Sequence, residues 1–321
     1  MTATAGFRAL VSAELEELER RLRDVGRGAH PTFAATAAHL FGSPGKMLRP
    51  TLVFLSSRFG PTFRDAKIVD LAESLELVHT ASLVHDDIID ASLMRRNHPT
   101  VNAQWNDDVA LIAGDYLFAK AYALAAVLPK PGVIALVAQT VFALCDGELN
   151  EIAGEPRVPT EREYLERIEL KTASLYAACC QGAAMLADAE PEAIATLGAF
   201  GTSFGLAFQI ADDVLDLAGD DETLGKHVGQ DLERGMLTLP MIYALDELGA
   251  SAGRRFLTPH KSPAETVELL KAVRATRGIE RARERAAQFR DRALAALEDL
   301  PERPERDALA EITYFATERE R

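Results

Sequence analysis

Disulfide chemistry has little material in this chain: it holds three cysteines, Cys145, Cys179 and Cys180, with no CxxC spacing, and the two neighbours cannot readily bridge to each other. A reducing compartment, the cytoplasm, is the expectation. Positive charge is also short, since 35 lysines and arginines face 49 acids for a net charge of −14. Such a field repels polyanions, so a nucleic-acid partner is excluded. Long apolar runs are lacking too. The best membrane candidate, Val133 to Cys145, follows Pro129 and Pro131 and holds about thirteen residues, short of the roughly 20 that a span needs. No basic stretch followed by an apolar one opens the chain, so we expect a soluble protein without a secretory signal, for which peripheral membrane contact stays open. Sustained apolar/polar alternation, short repeats, low-complexity tracts and a visible linker are missing as well.

What is present is a chain with 48% hydrophobic residues, enough for a sizeable core, and a dominant helical period. The expected fold class is all-α, as a single domain over residues 1–321. Residues 65–90 are apolar on nearly every side, with Val69, Ala72, Leu75, Leu77, Val78, Ala81, Leu83 and Val84, as in a helix buried in a bundle. Residues 195–217 repeat that pattern through Phe200, Phe204, Leu206, Phe208 and Ile210. Further helices are expected over 8–25, 50–59, 108–128, 132–152, 161–187, 236–248, 263–273, 277–298 and 304–319, separated by Gly/Pro stretches.

Both apolar helices run into carboxylates, His85-Asp86-Asp87-Ile88-Ile89-Asp90 and Asp212-Asp213-Val214-Leu215-Asp216. Asp86 and Asp90 are four apart, as are Asp212 and Asp216, so each pair shares a helix face with Cβ atoms about 5–6 Å apart. Like charges at that spacing repel, and a hard divalent cation relieves the repulsion. All-oxygen donors favour Mg²⁺, which binds one or two carboxylates together with substrate phosphate. One DxxxD pair is equally well a solvated helix end; two identical DDxxD segments favour a single metal site with the motifs facing each other. Cations follow closely: Arg95 and Arg96 after the first motif, and Lys46 and Arg49 in SPGKMLRP, types suited to forked and point-charge contacts with phosphate.

Taken together, these segments resemble the trans-isoprenyl diphosphate synthases (polyprenyl synthetases). The likeness runs from Gly42 to the C-terminus through GKMLRP, LVHTASLVHDDIIDASLMRRNHPTVN, AGDYLF, KTASL, FQIADDVLDL, GKHVGQDLERGMLTLP and FATERER. It implies antiparallel helices around a deep cavity, a homodimer, and three Mg²⁺ per active site. It also implies condensation of an allylic diphosphate with isopentenyl diphosphate. By position, Asp86, Asp90 and Asp212 are similar to the principal Mg²⁺ ligands, with Asp87, Asp213 and Asp216 as bridging, water-mediated or outer partners. Arg95, Lys171 and Lys226 would contact the allylic diphosphate. Lys46, Arg49, His79 and Arg96 would hold isopentenyl diphosphate without metal. Thr172 and Gln209 resemble residues beside the reacting carbons. His85 and His98 read as structural. Met236 departs from the lysine common in GKxTLP, which puts one diphosphate contact in question.

The resemblance also implies elongation away from the first motif, so side chains one or more turns before Asp86 would floor the cavity. Ala81 and Ser82 are small there, Val78 is not aromatic, and Phe142 is a candidate on the opposite wall. The expected product is hepta- to decaprenyl diphosphate, with shorter geranylgeranyl or farnesyl diphosphate as the alternative. An HD-type phosphohydrolase leaves the second DDxxD without a purpose, and a class I terpene cyclase leaves the arginine pair without one. A non-catalytic partner subunit of a heteromeric synthase typically loses the aspartates that are intact here.

Overall fold

The computed structural model describes residues 6–42, 45–95, 97–153, 157–219 and 228–318, and its fold is all-α, as the periodicity predicts. In chain order the elements are α1 (Ser12–Arg23), α2 (Pro31–Phe41), α3 (Leu48–Ser57), α4 (Lys67–Ile89), the hairpin β1 (Met94–Arg95) and β2 (His98–Pro99), α5 (Asp107–Ala126), α6 (Pro131–Ile152) and α7 (Glu161–Ile168). A π-helical turn (Glu169–Ala173) leads into α8 (Ser174–Leu186), followed by α9 (Pro191–Ala218), α10 (Gln230–Arg234), α11 (Leu239–Leu248), α12 (Ala250–Leu257), α13 (Pro263–Arg274), α14 (Gly278–Glu298) and α15 (Pro304–Thr317).

The chain groups into two compact units: unit one holds residues 1–142, 175–201 and 296–311, and unit two holds 143–174, 202–295 and 312–321. In unit one, α4 buries Leu71, Leu75, Leu77 and Val78, while α5 presents Ala110, Ala113, Gly114 and Ala121. Such small residues let two helix backbones approach closely, and the Ser74 hydroxyl donates to the Ala121 carbonyl at 2.8 Å. Arg21 of α1 reaches Asp70 at 2.7 Å and Glu73 at 3.5 Å on α4; burial pushes the Glu73 carboxyl above its ordinary range. In unit two, Tyr164, Ile168, Ile210, Val214, Leu232, Met241, Phe256 and Phe289 form one buried cluster. Capping boxes at Thr160/Glu163 and Ser262/Glu265 start α7 and α13, the T-x-x-E and S-x-x-E signatures satisfying otherwise orphaned N–H groups.

Four helices differ from expectation. Residues 31–41 are helical although no helix was expected there, because Pro31 sits at the first position, where a missing N–H is harmless. The short helices α10 and α12 were also unexpected. The helix expected over 161–187 is interrupted by the π-turn. The expectation of a membrane candidate limited to Val133–Cys145 is corrected as well: α6 continues past the exposed Asp146 for 22 residues in all. By length and composition α5, α6 and α9 are each apolar enough to cross a membrane.

Candidate active site

In unit one, the DDIIDASLMRRNHPTVN segment folds back on itself at the end of α4. Ser92 N–H donates to the Asp87 carbonyl at 2.9 Å and Thr100 N–H to the Leu93 carbonyl at 3.1 Å. The Asn102 side chain donates to the carbonyls of Asp87 (3.3 Å) and Ser92 (3.1 Å). Ala91 (φ 49°) and Asn97 (φ 64°) take the left-handed conformation that turns the chain. The hairpin then pairs Arg95 with His98 and aims the Arg95 guanidinium at Asp87, with Nε at 3.0 and 3.1 Å and Nη2 at 2.9 Å. Asp87 is 5% exposed, whereas Asp86 and Asp90 are half-exposed. The i,i+4 pair therefore remains accessible while the middle aspartate is enclosed.

The GKMLRP turn lies in the same unit. Lys46 is exposed, and the buried Met47 adopts a left-handed backbone (φ 51°, ψ 35°) immediately before α3, a strained conformation of about 1 kcal/mol for a non-glycine residue. Arg49 then lies with its guanidinium carbon 4.5 Å from the Tyr176 ring centre, and its buried Nε makes no hydrogen bond among the described residues. Such an orphaned donor on a cation is suited to an anion. A cavity of about 210 Å³ in this unit is lined by Met47, His79, Asp87 and Arg95 among others. His85 is structural: its Nε2 lies 3.1 Å from the Leu111 carbonyl, and a Cβ on Gly114 would fall 2.2 Å from that nitrogen. His98 is exposed on the hairpin.

Ala81 and Val78 are fully buried on α4, and Ser82 is half-buried with its hydroxyl bonded to the His79 carbonyl. None of the three lines the unit-one cavity. Phe142 is 70% exposed.

In unit two, the second motif repeats the pattern of exposure. Asp212 and Asp216 are half-exposed and Asp213 is 4% exposed. Asp213 accepts from the Tyr164 hydroxyl at 2.5 Å and from the Gln209 amide at 2.7 Å, and the Gln209 carbonyl oxygen accepts from the Thr172 hydroxyl at 2.9 Å. Burial pushes the Asp213 carboxyl up to about 7 and holds the Tyr164 phenol well above its ordinary value. Asp216 accepts from the backbone N–H groups of Gln230 and Asp231, both at 3.3 Å. Burial, with Asp216 and Asp213 close by, holds the Asp231 carboxyl well above its usual range.

The π-turn carries Lys171 and Thr172, which expectation placed on a regular helix. Lys171 Nζ meets Glu148 at 2.5 Å and Glu151 at 2.9 Å. Gly147 permits this approach, because a Cβ there would lie 2.7 Å from Lys171 N. Lys226 and Arg96 lie outside the described residues. Met236 is half-buried, its N–H bonded to the Asp231 carbonyl at 2.9 Å.

Tyr164, Glu148, Glu151 and Asp231 were not singled out from the sequence. The one available signal was the i,i+3 spacing of Glu148 and Glu151; a lone tyrosine in a helix reads as core. Among the described residues no three metal-type ligands converge. Each motif offers two accessible carboxylates, and in unit two burial raises the Asp213 and Asp231 carboxyls above their ordinary range. That donor set fits a divalent cation that completes its shell with water and phosphate oxygens.

Comparison with known proteins bears on this arrangement. The polyprenyl synthetase family model matches residues 30–275. Heptaprenyl diphosphate synthase component 2 of Geobacillus stearothermophilus is 36% identical over 313 residues, covering 97% of this chain and 98% of the relative. Nonaprenyl diphosphate synthase of Mycobacterium tuberculosis is 36% identical, covering 98% and 95%. Among solved structures, the polyprenyl synthase of Caulobacter crescentus, complexed with calcium and isoprenyl diphosphate, superposes with a TM-score of 0.92 at 29% identity, covering 99% of this chain and 98% of that one.

Proposed function

We propose, from the premise that this chain belongs to the polyprenyl synthetase family and is a chain-elongating prenyltransferase, that it condenses an allylic diphosphate with isopentenyl diphosphate repeatedly, to a product of hepta- to decaprenyl length. The observation that carries this reading is the repeated arrangement of an accessible aspartate pair flanking an enclosed one, with an orphaned arginine donor in the same unit as the first motif. Asp86, Asp90, Asp212 and Asp216 would hold Mg²⁺, three ions per site, with Asp87 and Asp213 behind them. When bound, the metal supplies charge stabilisation for the departing diphosphate.

The remaining work falls to side chains. Arg95, Lys171 and Lys226 neutralise the allylic diphosphate, while Lys46, Arg49, His79 and Arg96 receive isopentenyl diphosphate, for which Arg49 Nε is an available donor. Thr172 and Gln209 present oxygen dipoles to the allylic cation. The isopentenyl double bond attacks that cation, and a proton is then lost to the departing diphosphate. Leu111 (50% exposed) and Ile112 (61% exposed) on α5 fit the proposed homodimer, and three unpaired cysteines fit the proposed cytoplasmic location. Small residues at Ala81 and Ser82 favour the long product.

The test is the purified chain with farnesyl diphosphate and labelled isopentenyl diphosphate, with and without Mg²⁺, followed by chromatography of the dephosphorylated products. Mg²⁺-dependent formation of products of seven or more units is expected; a dominant four-unit product defeats the chain length. Ala81→Phe should shorten the product, and unchanged length would place the floor elsewhere. The word component in the name of the Geobacillus relative favours a second reading, in which this catalytic chain needs a partner subunit. An inactive purified chain rescued by such a subunit would establish it.

A further inference from the structure

Tyr164 has no part in the chemistry above, yet it stands at the root of the hydrogen bonds that end at Thr172. Its ring is 1% exposed in the unit-two core, and its hydroxyl makes the shortest contact of the series, 2.5 Å to Asp213 Oδ2. Asp213 Oδ1 takes the Gln209 amide at 2.7 Å. With one donor on each oxygen, the carboxylate is held in plane and cannot rotate outward toward the accessible face where Asp212 and Asp216 lie.

The Gln209 NH₂ is the donor in its 2.7 Å bond to Asp213 Oδ1. With the amide turned that way, its carbonyl oxygen is left for Thr172. Thr172 has a single hydroxyl proton and gives it to that oxygen at 2.9 Å. What Thr172 presents in other directions is lone pairs alone. An oxygen so committed stabilises a neighbouring cation, whereas a hydroxyl free to rotate can turn its proton toward it.

We propose that Tyr164 is a positioning residue for the condensation. By pinning the far oxygen of Asp213, it dedicates that carboxylate to Gln209 and so keeps the Thr172 oxygen turned, as an acceptor, to the allylic cation. The proposal rests on the prenyltransfer reading given above, with Thr172 and Gln209 beside the reacting carbons.

Two variants test it from opposite sides. Tyr164→Phe keeps the ring and releases the pinned oxygen. Asp213→Asn keeps a complete set of hydrogen bonds but reverses their direction: the substituted amide accepts from Tyr164 and donates to Gln209, whose own amide turns over and donates to Thr172, pushing the hydroxyl proton outward. For both we expect kcat to fall roughly 10- to 100-fold, with KM for either diphosphate within about twofold and more of the allylic diphosphate diverted to its alcohol by water. Mn²⁺ affinity, read by electron paramagnetic resonance, should change by less than about twofold in Tyr164→Phe. The arrangement has its own readout in glutamine-labelled protein: the Gln209 side-chain NH₂ resonances should carry the downfield shift of a carboxylate partner in the wild type and lose it in Asp213→Asn.

Wild-type kcat in Tyr164→Phe, wild-type kcat in Asp213→Asn, or a tenfold change in Mn²⁺ affinity in Tyr164→Phe would each overturn the proposal. An unshifted Gln209 resonance in the wild type would do so without any assay. A wild-type chain that fails to consume isopentenyl diphosphate would defeat the functional reading instead, leaving the resonance to decide the geometry.

Discussion

Asp87 in unit one and Asp213 in unit two occupy the same place in the same five-letter motif, and both are enclosed, yet their partners are of opposite kinds. Asp87 is gripped by the Arg95 guanidinium through both Nε and Nη2. Asp213 is held by a phenol and an amide, neither of which carries charge, and its carboxyl rises to about 7 with burial as the leading cause. The first arrangement is an ion pair on the wall of a cavity, so on the proposed reading Arg95 exchanges a carboxylate for a diphosphate. The second sets the carboxyl between two uncharged donors in the core, an arrangement suited to fixing direction. One motif thus pairs its enclosed aspartate with a cation and the other with uncharged donors.

The largest expected effect separates accessible from enclosed aspartates. Asp86→Asn and Asp212→Asn should each lower kcat about 10³-fold with little change in melting temperature, because both residues are half-exposed. Asp87→Asn should cost less in kcat and more in stability. Equal kcat losses at Asp86 and Asp87 would break the comparison.

Next in size is the stability difference between the two grips. Arg95→Gln removes a bidentate cationic grip from a buried carboxylate and should destabilise the fold by about 2 kcal/mol in urea unfolding. Tyr164→Phe removes one hydrogen bond from an uncharged donor, for about 1 kcal/mol. A reversed order would mean that the Arg95 pair is screened by solvent to a negligible value.

The smallest expected kinetic effect concerns two glycines. In Gly147→Ala the new Cβ meets Lys171 backbone N at 2.7 Å, and in Gly114→Ala it meets the His85 ring at 2.2 Å. The first should raise KM for the allylic diphosphate severalfold by moving the π-turn. The second should lower stability by about 1–3 kcal/mol and leave that KM nearly unchanged. Identical KM values in the two variants would blur the distinction between a contact that positions Lys171 and one that positions His85.

Much of this was legible in order along the chain. Apolar residues on all sides of 65–90 and 195–217 do belong to buried helices, and each ends in its aspartates. Helix α2 was missed because Pro31 reads as a breaker until its place at the first helical position is seen. The stretch EREYLERIELKTAS reads as one helix, since the π-turn arises against Gly147, more than 20 residues earlier, and leaves no local mark. Tyr164 reads as core and is core; its function lies in one hydroxyl whose partner is 49 positions away.

The sequence by itself determined the all-helical fold class and the acidic pairs, because helical period and i,i+4 spacing are local properties that survive without tertiary context. The tertiary structure alone decided which aspartate of each motif is enclosed and whether a cation or a phenol holds it. Hydrogen bonds and ion pairs act over about 3 Å, and only folding brings residues far apart in sequence to that distance.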